Sequence, residues 1–206
     1  MSNGPSHTQP VKLFQNEWLE LFTKISFKGF LLVWLLGLPL SVVVGWNGEL
    51  GPIEAFGLVV AGFLVWLPVE YGLHRHMFHW KSEHAVVQRF VFIMHGNHHV
   101  SPNDPLRNLM PPMVSVPIGA ALWTMAVFPL GPWGIWAYLG FGIGYVAYDL
   151  THYACHQLPM NGRLGKALKR HHMRHHYVND AANYAITAPL FDGLFGTQIE
   201  DLTKAK

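Results

Sequence analysis

Lys169-Arg170-His171-His172-Met173-Arg174-His175-His176 places four histidines within six residues. Three further clusters precede it: His74-Arg75-His76-Met77-Phe78-His79, His95-Gly96-Asn97-His98-His99 and His152-Tyr153-Ala154-Cys155-His156. Only His7 and His84 of the fourteen histidines lie outside these clusters. An α-helix turns about 100° per residue. His172, His175 and His176 therefore share a helical face, as do His152 and His156. His95, His98 and His99 share one if that stretch is helical, and Gly96 counts against it. His74 and His79 fall about 140° apart on an α-helix. They can serve one ion only near a helix end or across a bend. His76 and His79 fit the period better, and spacing does not choose between His74 and His76.

Imidazoles three and four apart converge on one point, as in zinc-binding helices with two histidines on one face. An ion takes about four to six ligands, so about ten converging imidazoles imply two ions. A structural zinc site needs four ligands and usually recruits cysteine. This chain has a single cysteine, Cys155, which also excludes an internal disulfide framework. Cys155 reads as a packed thiol. Neutral imidazole suits iron, zinc, copper and nickel alike, so the ligand type does not name the metal.

The clusters sit in an apolar chain. Its 206 residues fit one domain. Charged residues are 13% and hydrophobic residues 50%, the mixture of a multi-pass membrane protein with a polar active face. A formal charge of +2 gives no basis for a nucleic-acid partner. Residues 29–48 contain no Lys, Arg, Asp or Glu and are long enough to cross a bilayer core. Residues 55–73 form a second expected span, with Glu70 near its end. Residues 108–148 contain no Asp, Glu, Lys, Arg or His, and Pro129 and Pro132 punctuate them. They read as a hairpin of spans near 111–129 and 132–150. The fold class is therefore all-α, with about four transmembrane helices and a cytoplasmic helical cap around a histidine-rich dimetal site. Residues 1–28 are an N-terminal cytoplasmic or interfacial segment, whose part from 11 to 28 is an amphipathic surface helix. Residues 29–200 are the membrane domain and 201–206 a polar tail. Residues 86–94 are too short to span, and residues 181–197 read as cover for the site.

Four spans put both termini and all four clusters on one side. All fourteen Lys and Arg residues fall on that side too, which makes it cytoplasmic by the positive-inside bias. A zinc transporter or metal store is the rival outside enzymes, but transporters place polar ligands near mid-membrane, and these spans hold no histidine.

At these residues the chain resembles the fatty acid hydroxylase superfamily of membrane non-haem di-iron enzymes, and within it the fatty acid 2-hydroxylases. The shared pattern is His74/His79, His95/His98/His99, His152/His156 and His172/His175/His176. Flanking matches are Glu70-Tyr71-Gly72-Leu73-His74-Arg75, Pro102-Asn103-Asp104-Pro105-Leu106-Arg107, Met110-Pro111-Pro112, Tyr148-Asp149-Leu150-Thr151-His152-Tyr153 and Ile186-Thr187-Ala188-Pro189-Leu190-Phe191-Asp192. The resemblance covers nearly all of residues 60–200. It points to those ten histidines as ligands and leaves His76 and His171 as neighbours or hydrogen-bond donors. It implies two iron ions, with zinc able to occupy the site in preparations. It implies O2-dependent 2-hydroxylation of a free or sphingolipid-linked fatty acid. Sterol and carotenoid hydroxylases or desaturases share the histidine pattern and are the alternatives.

Several relatives carry an N-terminal cytochrome b5 domain, whereas this chain starts almost directly at the membrane. The expected electron donor is therefore separate, such as a cytochrome b5 or ferredoxin. Asp149 is expected to orient a ligand histidine, and Asp104, Asp180 and Asp192 lie on the same side. Arg107 and Asn103 are candidates for headgroup contact, and Tyr148 and Tyr153 for the pocket wall. A compact domain with short loops favours a bacterial inner membrane, with the endoplasmic reticulum as the alternative.

Overall fold

A computed structural model describes residues 11–46, 48 and 50–200. The polar N-terminus at 1–10, Glu49 in the loop after the first span, and the tail at 201–206 lie outside the described residues. Every element in the described residues is helical, as expected.

Helix starts follow from local chemistry. In α1 (Glu17–Phe22) the Asn16 side chain accepts the N–H groups of Trp18 and Leu19. In α2 (Phe27–Gly45) the Ser26 hydroxyl accepts from Gly29 N–H. α3 (Pro52–Gly72), α6 (Pro112–Leu130) and α7 (Pro132–Gln157) all open on proline, whose missing N–H would have no partner there. Gly131 joins α6 to α7 at φ 56°, a conformation that favours glycine, and so allows the tight hairpin. The shorter helices are α4 (Ala85–Val91), α5 (Asn97–Val100), α8 (Arg163–Tyr177) and α9 (Leu190–Leu194).

α7 is the central helix, with α2, α3, α6 and α8 packed around it. Glycines bring α3 and α7 close. A Cβ on Gly62 would lie 2.0 Å from Ala137 O, and one on Gly140 only 1.9 Å from Val59 O. The outward faces are apolar and exposed, at Leu35, Val43, Phe56 and Met125 among others. Water would not tolerate such faces, but lipid does. Three segments are long and apolar enough to cross a membrane: Phe27–Gly45, Pro52–Phe78 and Pro112–Leu130. The fourth expected span falls within α7, a helix that is not among these three. Its glycines, tyrosines and last, polar turns leave it outside that set.

Candidate metal centre

The first two histidine clusters lie where α-helices change pitch. α3 continues as a π-helical turn over Leu73–Phe78, and α4 as another over Phe92–Gly96. In the first, His79 N–H donates to His74 O at 3.2 Å, five residues back. Residues five apart then stack one above the other. His74 and His79 share a face because the helix is locally wound to fit them, and π turns of this kind recur at functional sites. His76, two residues on from His74, points outward and is exposed.

The ten histidines form two groups of five: His74, His79, His95, His99 and His175, then His98, His152, His156, His172 and His176. In each group one donor atom per residue lies within 4.8 Å of all the others. The clusters interleave. His95 and His99, four apart, join the first group while His98 joins the second. His172 and His176, four apart, join the second while His175 crosses to the first. Shared helical faces thus do not mean shared ions, and the expectation that His172, His175 and His176 converge on one point is corrected. His99 and His176 stack at 4.2 Å between ring centroids, so the two groups adjoin.

The Nε2 atoms fit a cation. In the first group His95 Nε2 is 3.0 Å from those of His74 and His99, and His175 Nε2 is 3.1 Å from those of His79 and His99. In the second, neighbouring Nε2 atoms lie 2.8–3.1 Å apart. Ligand nitrogens about 2.1 Å from an ion stand about 3.0 Å apart at right angles, and about 3.4 Å apart in a tetrahedron. The spacing suits a crowded shell of more than four ligands. Hydrogen bonds cannot satisfy such a ring, because several Nε2 atoms are bare lone pairs. His74 Nδ1 donates to Tyr184 O, His175 Nδ1 to Ala182 O at 2.7 Å and His152 Nδ1 to Asn108 O at 2.9 Å. These bonds fix the tautomer and aim Nε2 inward. Burial, reinforced by neighbouring rings, holds His95, His98 and His172 well below the usual imidazole range and pushes His99 down to about 2. Burial also pushes His79 and His175 down to about 4. The rings are therefore neutral at pH 7, as metal ligation requires.

Two of these carbonyls, of Ala182 and Tyr184, come from a cap over residues 178–200 that sequence reading located but did not resolve. Asn183 adopts φ 55° between the two residues whose carbonyls hold His175 and His74. Its side chain donates to His171 O at 3.0 Å and accepts Ile199 N–H at 2.8 Å. Asp192 accepts Tyr184 N–H, Ala185 N–H, the Thr197 hydroxyl and His171 Nε2. Glu70 accepts Ile186 N–H, Thr187 N–H, the Thr187 hydroxyl and Trp66 Nε1. Glu70 is 2% exposed, so this acid at a membrane edge is a buried clamp on the cap. The signal in the sequence is an Asn between Ala182 and Tyr184, a residue type that tolerates the left-handed region.

Several expectations change here. Asp149 orients no histidine: it accepts Met110 N–H at 3.0 Å and the Tyr145 hydroxyl at 2.8 Å, and so pins α7 to the start of α6. The Asn108 carbonyl takes the partner role instead. Arg107 is not free for a headgroup. It is 7% exposed, pairs with Glu20 and Asp104, and donates to the Thr23 hydroxyl. Glu20 in turn accepts the N–H groups of Leu13 and Phe14. The interfacial segment is thereby tied to the loop beside the site. Asp104 also caps that loop through Leu106 N–H, while Asn103 is exposed and lines neither cavity described below. His171 binds Asp192 rather than joining either group. Tyr148 lines the site and stacks on His152 at 6.2 Å. Tyr153 packs on Phe27 instead. Cys155 is fully buried and in neither group, as expected.

Two adjoining cavities lie at this end, and one of them meets the histidines. One of about 280 Å³ reaches His95, His98 and His152 beneath Phe14, Leu19 and Phe22. The other, about 450 Å³, runs along α7 between α3 and α6 and is almost wholly apolar. Phe78, Met94, Met110, Val114 and Tyr148 wall both.

Among the described residues, an all-helical bundle with apolar outer faces and two five-histidine groups defines a membrane protein with two sets of side chains that could hold metal. The fatty acid hydroxylase family model matches residues 59–197, about two thirds of the chain. The protein belongs to that family. It is 36% identical over 197 residues to a ceramide very long chain fatty acid hydroxylase of Saccharomyces cerevisiae, covering 91% of this chain and 49% of the relative. It is 30% identical to a rat (Rattus norvegicus) fatty acid 2-hydroxylase, covering 94% of this chain and 58% of that protein. To a dihydroceramide fatty acyl 2-hydroxylase of Arabidopsis thaliana it is 32% identical, covering 90% and 79%. The chain thus spans about half the length of the yeast and rat relatives. A solved structure of full-length scs7p, with only the hydroxylase domain visible, superposes with a TM-score of 0.80 at 31% identity, covering 91% of this chain and 71% of that one.

Proposed function

We propose that this protein is an O2-dependent, non-haem di-iron monooxygenase that 2-hydroxylates the acyl chain of a membrane lipid, a free or sphingolipid-linked fatty acid. Two all-imidazole, five-donor groups, reached by a cavity that shares its wall with an apolar cleft, carry this reading. The ten histidines would hold two irons, and zinc can occupy the same imidazole sites. The bound pair would supply the chemistry of O2 reduction and C–H oxidation. The balance is an acyl C2 methylene plus O2, two electrons and two protons, giving the C2 alcohol and water. The electrons come from a separate one-electron carrier, a cytochrome b5 or a ferredoxin.

The chain's own residues position and exclude. Tyr184, Ala182 and Asn108 carbonyls orient three rings. Tyr148, Phe78 and Met94 wall the passage between the cavities, so an acyl chain lying there displaces water from the reacting carbon. No acid or base side chain is asked to attack the substrate. The histidine face is cytoplasmic, in a bacterial inner membrane by the short loops or otherwise in the endoplasmic reticulum.

The test is mass spectrometry of total fatty acids, after hydrolysis, from cells expressing the protein or its His172→Ala variant. The host must make sphingolipids and contain a compatible donor. The expected result is 2-hydroxy acids with the protein and none above background with the variant. Equal profiles from folded, iron-loaded protein would remove acyl 2-hydroxylation and turn attention to sterols and carotenoids.

A further inference from the structure

The apolar cleft has a defined deep end. α3 and α6 both pack along α7 and leave the cleft between them, with Tyr138, Gly142 and Tyr145 of α7 as its back wall. Its head lies at Tyr148 and Phe78, beside the histidines. From His152 back to Tyr138 the helix rises about 21 Å, at about 1.5 Å per residue. There the wall closes in. A Cβ placed on Gly119 of α6 would stand 3.2 Å from the Tyr138 hydroxyl and 3.6 Å from the Trp34 ring, with nothing else within 4 Å. Gly119 therefore differs from Gly62, Gly134 and Gly140, where a Cβ would strike a backbone carbonyl at 1.9–2.1 Å. Those three glycines let helices touch. Gly119 faces the cleft, and its missing side chain keeps the space between Trp34 and Tyr138 open.

We infer that Gly119, with Trp34 and Tyr138, seats the methyl end of the acyl chain and so sets the chain length the protein accepts. This rests on the acyl-hydroxylase reading above and adds to it a residue that decides among substrates. The argument is spatial. The reacting carbon must lie at the histidine end, so each added methylene pushes the other terminus further down α7. An apolar pocket discriminates about tenfold or more per methylene once its end is reached. A side chain at 119 shortens the usable cleft, and a truncated Tyr138 lengthens it.

Two variants, Gly119→Leu and Tyr138→Ala, test this in the full chain. One readout is the length distribution of 2-hydroxy acids in cells supplied with acids of graded length. The other is thermal stabilisation of purified protein by the same series of acids, which needs no turnover. Gly119→Leu is expected to cut the ratio of long to short product about tenfold, and Tyr138→Ala to raise it. The stabilising chain lengths should move in the same directions. If Gly119→Leu does not fold, Tyr138→Ala and Gly119→Ala carry the test. Unchanged length preference in both readouts, from folded variants, overturns the inference and leaves the hydroxylase reading standing. No 2-hydroxy acid from the unsubstituted protein, with the binding preference still shifted by the variants, overturns the reaction and keeps the seat for the chain.

Discussion

Asn183 shows how much of this site rests on single residues that never touch a metal. Its left-handed backbone aims the flanking carbonyls of Ala182 and Tyr184 at His175 and His74. Asn183→Ala would keep the chain length but lose two buried hydrogen bonds and face a strain of about 1–2 kcal/mol in that conformation. Losing such outer support typically costs about 10–100-fold in metal affinity. The expected outcome is weaker retention of one ion under chelator challenge, with the other held. Glu70→Gln tests the second clamp. Each Glu70 oxygen accepts two donors, so an amide must turn its NH2 towards donors and leave them unpaired. The expected loss is about 1–3 kcal/mol, seen as a lower Tm of the purified protein. These contacts were not legible in the sequence, because a backbone carbonyl is the same atom group at every position. Asp149 was misread for that reason: a carboxylate near His152 looked like its partner, but the Asn108 carbonyl holds the ring.

At the scale of elements, the π turn is the device that makes the first group possible. Inserting one alanine after Met77 would put His79 six steps from His74 and swing it about 120° away at an α-helical pitch. The prediction is one ion per chain instead of two, with helical content by circular dichroism nearly unchanged. Two ions retained after the insertion would show that the register of His79 to His74 is not needed. Helical periodicity read His152 with His156 correctly, since α7 is regular there. It could not settle His74 against His76, because that argument assumes an α pitch. It also merged His175 with His172, because a shared face says nothing of which of two adjoining ions a ring reaches. The resemblance to a known histidine pattern, rather than spacing, pointed to the ten rings that the fold brings together.

At the scale of the whole molecule, the all-helical class and three apolar spans followed from composition. The fourth helix is where hydropathy alone falls short. α7 is the most enclosed of the long helices, and its glycines serve packing rather than lipid contact. Burying many neutral imidazoles at one end also has a consequence for pH. Unfolded histidine titrates near 6.5, while His79 and His175 lie near 4 and His99 near 2. Across that window the unfolded chain binds more protons, so stability rises with pH. Metal-stripped protein should therefore lose Tm steadily as pH falls from about 6.5 towards 4. A flat profile would contradict neutral burial of these rings.

The central claim is a two-ion centre split between interleaved histidines. Metal content per chain of the purified protein, by elemental analysis beside protein quantitation, tests it most directly, together with His175→Ala and His156→Ala. The account predicts two ions in the unsubstituted protein. Each variant should weaken one ion and spare the other, and the double variant should lose both. A single ion per folded chain, or one variant that releases both ions at once, would contradict it.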